Sequence, residues 1–238
     1  MIRTRRQLLV AAAATPWLAG MARVQDAPFS VETLTFRSRR KDIRAALYRP
    51  TAPNGAGVVF MHGAGGIGPP YLTLAERFAA DGFMAMVPAY YDAAADDGVR
   101  PEPMMDAWRT VGSDAVNWLI ADGIDRRRTG IMGYSLGSYV AVDGALGNSR
   151  AAAAIGLAGG WDVYIPRSPR RRIPVLVIQS ENDDHVSPES TRRWVDFLRR
   201  ADVPVRHEVV PGAGHIYTPA QWLEVHRLAS DFFKQTLL

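Results

Sequence analysis

A serine flanked by glycines, Gly133-Tyr134-Ser135-Leu136-Gly137, is the most chemically suggestive segment of this 238-residue chain. It follows the apolar run Gly130-Ile131-Met132 and precedes the helical stretch Tyr139 to Leu146, so a strand–turn–helix context is expected. A turn that tight leaves no room for side chains beside the serine. A serine at a helix N-terminus also sits among free N–H groups, where negative charge is favoured. A hydroxyl is a weak nucleophile and needs a base. Of the five histidines, His62 precedes a glycine loop, His185 lies in an acidic loop, His207 in an expected strand and His226 in the last expected helix. His215, in Pro211-Gly212-Ala213-Gly214-His215, follows the final expected strand, from where a ring can reach across the strand ends to Ser135. An acid that orients this ring is expected between the two in the chain. Gln179 to Val186 supplies Asp183 and Asp184 just after a buried strand, and local chemistry does not choose between them.

Negative charge developing on an attacked carbonyl oxygen calls for N–H donors. Gly63-Ala64-Gly65-Gly66 follows the strand Val58 to Met61, and the N–H groups of Ala64 and Leu136 are the expected pair, with His62 bracing the loop. Acyl transfer by such a set requires no metal and no organic cofactor. Tyr90, Tyr91 and Trp161 follow strands and are expected to line a substrate pocket, with aromatic packing as the alternative. The same glycine stretch, extended to Gly68, also fits the dinucleotide pattern G-x-G-x-x-G, which would make the chain a nicotinamide-dependent oxidoreductase. Against this, Pro69-Pro70 is expected to delay the helix that a pyrophosphate needs. Lys41 and Lys234 are the only lysines, so a Tyr-x-x-x-Lys pair is absent. A third reading is a binding protein that keeps the fold without turnover.

Elements that could hold these residues alternate along the chain. Val31 to Phe36 and Ile43 to Tyr48 read as an antiparallel hairpin. Val58 to Met61, Phe83 to Val87, Gly130 to Met132, Ala153 to Leu157 and Val175 to Gln179 are short, continuous apolar runs, as strands buried on both faces are. Val205 to Val210 completes the set. Between them, helical stripes run through Tyr71, Leu74, Ala75, Phe78 and Ala79, then Trp108, Val111, Ala115 and Trp118, and later Trp194, Phe197 and Leu198. Thr218-Pro219-Ala220-Gln221 is a capping box that opens a last helix with Trp222, Val225, Ala229 and Phe232 on its buried stripe. This order implies a mostly parallel sheet with helices on both faces, its ligand beyond the carboxyl ends of the strands.

Composition narrows the classes further. Apolar residues make up 47% of the chain, enough for an ample core. Cysteine is absent, which excludes disulfides, thiolate metal sites and a cysteine nucleophile. Arg3, Arg5 and Arg6 precede the run Leu8 to Ala14 and then small residues up to Ala22. That order predicts a twin-arginine-like signal peptide over 1–22, cleaved to leave one domain over 23–238 in the periplasm or outside the cell, without a membrane anchor. Removing it would leave 25 basic against 24 acidic residues, a net charge of +1 in place of +4, so nucleic acid is not an expected partner. The clusters Arg126 to Arg128 and Arg170 to Arg172 read as solvated turns. Oligomeric state is not legible.

The chain resembles the dienelactone hydrolase branch of the α/β-hydrolases. The resemblance is carried by His62-Gly63-Ala64-Gly65-Gly66, by Leu74 to Phe83, by Val87-Pro88-Ala89-Tyr90-Tyr91, and by the serine and histidine motifs above. It implies an α/β-hydrolase fold without a large cap domain and a serine hydrolase of small ester-like substrates, working through Ser135, His215 and an acid. Related acid loops read G-x-x-D-x-x-V. Ser180 to Val186 matches apart from its first residue, which favours Asp183 over Asp184. Family members proper use cysteine where this chain has Ser135, carry glutamate where it has Gly63, and hold a substrate carboxylate with arginines that Asp92 to Ala95 and Ile216 to Pro219 do not supply. The resemblance therefore points to a serine esterase rather than to a dienelactone substrate.

Overall fold

A computed structural model describes residues 28–162 and 164–238, so the expected leader over 1–22 lies outside the described residues. Eight strands form one open sheet: β1 (Phe29–Ser38), β2 (Lys41–Pro50), β3 (Gly57–Met61), β4 (Met84–Pro88), β5 (Thr129–Tyr134), β6 (Ala153–Leu157), β7 (Val175–Ser180) and β8 (Val205–Val210). Their order is β1-β2-β4-β3-β5-β6-β7-β8. The hairpin β1–β2 is antiparallel, with Phe36 opposite Ile43, and β2 joins β4 antiparallel. Every other pair is parallel. The apolar runs behave as their composition requires: every residue of β3, β5, β6 and β7 is buried.

Five helices cover the sheet: α1 (Pro69–Ala80), α2 (Glu102–Ala121), α3 (Leu136–Leu146), α4 (Pro188–Arg200) and α5 (Pro219–Leu237). Trp108, Val140, Trp194 and Leu198 from α2, α3 and α4 share one core with Val59 and Val177, while Phe78, Val225 and Phe233 from α1 and α5 share the other with Val58 and Ile178. Alternate residues of one strand thus feed opposite cores, as the strand period of two dictates. The stretch 158–174 between β6 and β7 is too short for a cap domain. No helix among the described residues is long and apolar enough to cross a membrane.

Two expectations fail here. Pro69-Pro70 does not delay α1: Gly68 is its N-cap and both prolines stand in its first turn, where their missing N–H groups would have had no intrahelical partner anyway. Arg171 is not on a solvated turn. It is half-buried, and its guanidinium donates to the carbonyls of Ala145 (3.0 Å), Ser149 (2.6 Å) and Ala151 (2.7 Å), closing the C-terminal end of α3.

Candidate active site

The bend between β5 and α3 is steric in origin. A Cβ on Gly133 would lie 1.9 Å from the Gly137 carbonyl oxygen, and one on Gly137 would lie 2.3 Å from that of Met61. Only glycine fits either place. Between them Ser135 takes φ 51°, a left-handed conformation costly for a residue with a side chain. It is held by its N–H donating to Leu157 (2.8 Å) and by its carbonyl accepting from the N–H (2.9 Å) and hydroxyl (2.7 Å) of Ser138. The hydroxyl of Ser135 is left free to project beyond the carboxyl ends of the strands.

His215 lies on the loop from β8 to α5, and its Nε2 is 2.9 Å from Ser135 Oγ. Its Nδ1 lies 2.9 Å from both carboxylate oxygens of Asp183, on the loop after β7. Asp183 Oδ1 also accepts the N–H groups of His185 (2.9 Å) and Val186 (2.8 Å). Burial alone would raise the Asp183 pKa, but His215 and these two N–H donors outweigh it and hold the carboxyl below its ordinary 3.8. The carboxylate therefore stays charged, and the ring keeps its proton on Nδ1 with Nε2 open toward the serine. Two further ties fix the histidine loop: Tyr134 donates its hydroxyl to the His215 carbonyl (2.5 Å), and the Asn182 N–H donates to Ala213 (2.8 Å).

The adjacent acid behaves differently. Asp184 is exposed and pairs with His185 Nδ1 at 2.8 Å. The His185 ring stacks on His215, 4.6 Å between centroids and 17° from parallel. Asp183, His185 and His215 bring possible metal ligands within 4.8 Å of one another. Because lone pairs lie in the ring planes, two stacked imidazoles do not aim them at one point, and Asp183 is already engaged by His215.

The glycine loop after β3 is braced from its carbonyl side. Gly63 O accepts the Gly66 N–H at 3.1 Å and lies 2.9 Å from His62 Nδ1, which must therefore carry the proton. In a trans peptide the N–H points opposite to the C=O, so the Ala64 N–H is turned away from His62. Neither it nor the Leu136 N–H has a hydrogen-bond partner among the described residues. His62 is buried, its ring 3.9 Å from that of Tyr90, and burial lowers its pKa from 6.5 to about 4, so it serves as a neutral donor. The helix after this loop begins directly, yet Pro69 and Pro70 remove two of its N-terminal donors. The dinucleotide pattern thus lacks the anion cradle that it needs.

The expected pocket aromatics divide. Tyr90 has no exposed surface and donates its hydroxyl to His62 O (2.8 Å), so it supports the loop from beneath and does not line a pocket. Tyr91 is half-buried, its hydroxyl 3.0 Å from Ala64 O and 2.9 Å from Asp96. Trp161, also half-buried, packs edge-on against Phe197 of α4 at 4.9 Å, with Arg193 5.5 Å over its ring. Sequence reasoning missed Tyr71, whose hydroxyl accepts the Gly63 N–H at 3.0 Å. It was counted only as one position of a buried helical stripe. A cleft of about 720 Å³ lined by Asp106, Arg109, Asp143 and Arg167 lies at the other end of α3 from Ser135, roughly 16 Å away by helix rise.

This sheet, with a serine on a tight, glycine-flanked strand-to-helix turn, defines an α/β-hydrolase fold. A sequence profile of the dienelactone hydrolase family matches residues 43–223, and the chain belongs to that family of ester-bond hydrolases. A candidate carboxymethylenebutenolidase of Salmonella typhi is 25% identical over 229 residues, covering 87% of this chain and 85% of its own. Among solved structures, a dienelactone hydrolase of Anabaena variabilis has a TM-score of 0.73 at 19% identity, covering 89% of this chain and all of its own. A dienelactone hydrolase-like promiscuous phosphotriesterase from metagenomic libraries has a TM-score of 0.75 at 17% identity, covering 88% and 99%.

Proposed function

We propose that the chain hydrolyses a small-molecule ester through a covalent acyl-serine, with Ser135 as nucleophile, His215 as general base and acid, and Asp183 as the orienting carboxylate. Ser135 Oγ attacks the ester carbonyl carbon while its proton passes to His215 Nε2. The N–H groups of Ala64 and Leu136 receive the oxyanion. Collapse expels the alcohol, which takes the proton back from Nε2, and water then cleaves the acyl-enzyme by the same steps. The observation that carries this reading is the unbroken run of 2.9 Å contacts from Ser135 Oγ through both nitrogens of His215 to Asp183.

A fluorophosphonate probe, followed by turnover of chromogenic esters, tests it. The wild type is expected to label at Ser135, and Ser135→Ala to lose the label together with at least about 10³-fold of kcat. A label elsewhere, or a fully active Ser135→Ala, refutes the assignment. The leader read over 1–22 would place this reaction outside the cytoplasm. Finding the mature chain with its full N-terminus inside the cell would refute that part.

A further inference from the structure

The three most exposed large aliphatic side chains among the described residues are Ile165 (78%), Ile216 (74%) and Val99 (70%). All three lie on connections that leave the carboxyl edge of the sheet: Val99 between β4 and α2, Ile165 between β6 and β7, and Ile216 between β8 and α5. Hydrogen bonds tie these connections to one another or to the site. Tyr91 ties the first to the glycine loop through Ala64 O (3.0 Å). Arg100 Nη1 donates to Tyr164 (2.8 Å), linking the chain neighbours of Val99 and Ile165, and Ile216 directly follows His215, which contacts Ser135. Single exposed aliphatics are ordinary on a protein surface. Three on separate loops that leave the same sheet edge as Ser135 can offer apolar cover to whatever enters there.

The charges on these connections point the same way. Arg100 grips both oxygens of Asp96 at 2.7–3.0 Å, so it cannot turn to a substrate carboxylate without leaving its partner. Arg167 is paired with Asp106 (3.1 Å) and Glu102. Arg170 and Arg171 bond to Asn148 and to the carbonyls at the C-terminal end of α3, away from the serine. Asp97 and Asp184 stand exposed on the loops that flank the site.

We infer that the Ser135 site accepts an uncharged ester whose apolar portion is covered by Val99, Ile165 and Ile216, and that it discriminates against esters carrying a carboxylate. The inference rests on the hydrolase reading above. It is tested with p-nitrophenyl hexanoate and the mono-p-nitrophenyl ester of adipic acid, which share a six-carbon acyl chain and differ by one terminal carboxylate. The neutral ester is expected to have a kcat/KM at least about tenfold higher. In the triple variant Val99→Ser/Ile165→Ser/Ile216→Ser, the hexanoate-to-acetate ratio is expected to fall by about tenfold, the effect of losing part of the apolar burial at three side chains. These are surface changes, so an unaltered melting temperature accompanies the expected result.

Equal or better turnover of the adipate ester overturns the inference, as does an unchanged chain-length ratio in the triple variant. A rate that jumps only above the solubility limit of the ester overturns it in favour of docking to a lipid surface. Absence of fluorophosphonate labelling at Ser135 in the wild type removes the hydrolase reading and this inference together. Labelling with the wrong substrate preference removes the inference alone.

Discussion

Adjacent carboxylates can do opposite work when the backbone turns between them. Asp183 is buried against His215 and fed by two N–H groups, whereas Asp184 points outward to the exposed His185. Asp183→Asn keeps the shape of the side chain but removes the charge that stabilises the imidazolium formed during attack, and can present an amide N–H to Nδ1, which reverses the tautomer. Its kcat is expected to fall by roughly 10³–10⁴-fold, the scale for loss of an orienting acid. Asp184→Asn loses one exposed pairing and is expected to stay within about threefold of wild type, since such pairs contribute little. Steady-state kinetics on one chromogenic ester decides. A larger loss in Asp184→Asn than in Asp183→Asn would make Asp184 the orienting acid and overturn the assignment. Local chemistry could not separate the two, because both follow the same buried strand; only the likeness of Ser180 to Val186 to related acid loops favoured Asp183. What separates them is the direction of the loop over Asn182 to Val186, set by N–H donors that no residue type announces.

At the scale of elements, α5 fixes the histidine loop at one end. Its N-cap Thr218 accepts the Gln221 N–H at 3.3 Å, and Gln221 returns a bond to the Thr218 N–H at 2.9 Å, only three residues beyond His215. Thr218→Ala is expected to destabilise the protein by about 1 kcal/mol, measured by chemical denaturation, since it leaves orphan N–H groups at the helix start. Stability equal to wild type would mean that water replaces the cap at no cost.

This capping box, like the alternation of buried strands and striped helices, was legible because each depends on local spacing. So were the glycines of the serine turn, since a Cβ at either one collides with nearby backbone. Pro69-Pro70 was misread because the restriction on a residue before proline is a preference, and the first turn of a helix tolerates it. Tyr90 was misread for another reason. Its place after a strand was visible, but not that the chain makes a short 3₁₀ turn over Tyr90–Asp92 and tucks the ring beneath His62. Arg171 likewise finds carbonyls brought to it by α3 and by the turn before β6, contacts that no local pattern encodes.

For the whole molecule, two buried groups on different elements give stability opposite dependences on pH. Burial lowers the His62 pKa from 6.5 to about 4, against the raising effects of the Gly63 carbonyl and Asp92. The unfolded chain takes up that proton below 6.5 and the folded chain does not until about 4. This contribution is therefore complete above 6.5 and is lost as pH falls, by about 3 kcal/mol across the window. Asp143 runs the other way. Burial raises its pKa from 3.8 to about 7 despite the charges of Arg109 and Arg167, so the folded chain retains a proton that the unfolded chain releases above 3.8. Its contribution is complete below 3.8 and is lost as pH rises toward 7. Between pH 4 and 6.5 the two slopes oppose each other. His226 and His207 are also shifted down by burial and add to the His62 side, so variants rather than the wild-type curve carry the diagnosis. His62→Asn removes the largest rising contribution and should make stability fall more steeply, or rise less, from pH 4.5 to 6.5. Asp143→Asn should do the reverse. Denaturant midpoints at three pH values within that window suffice, and curves for both variants parallel to wild type would show that neither group titrates as its burial demands.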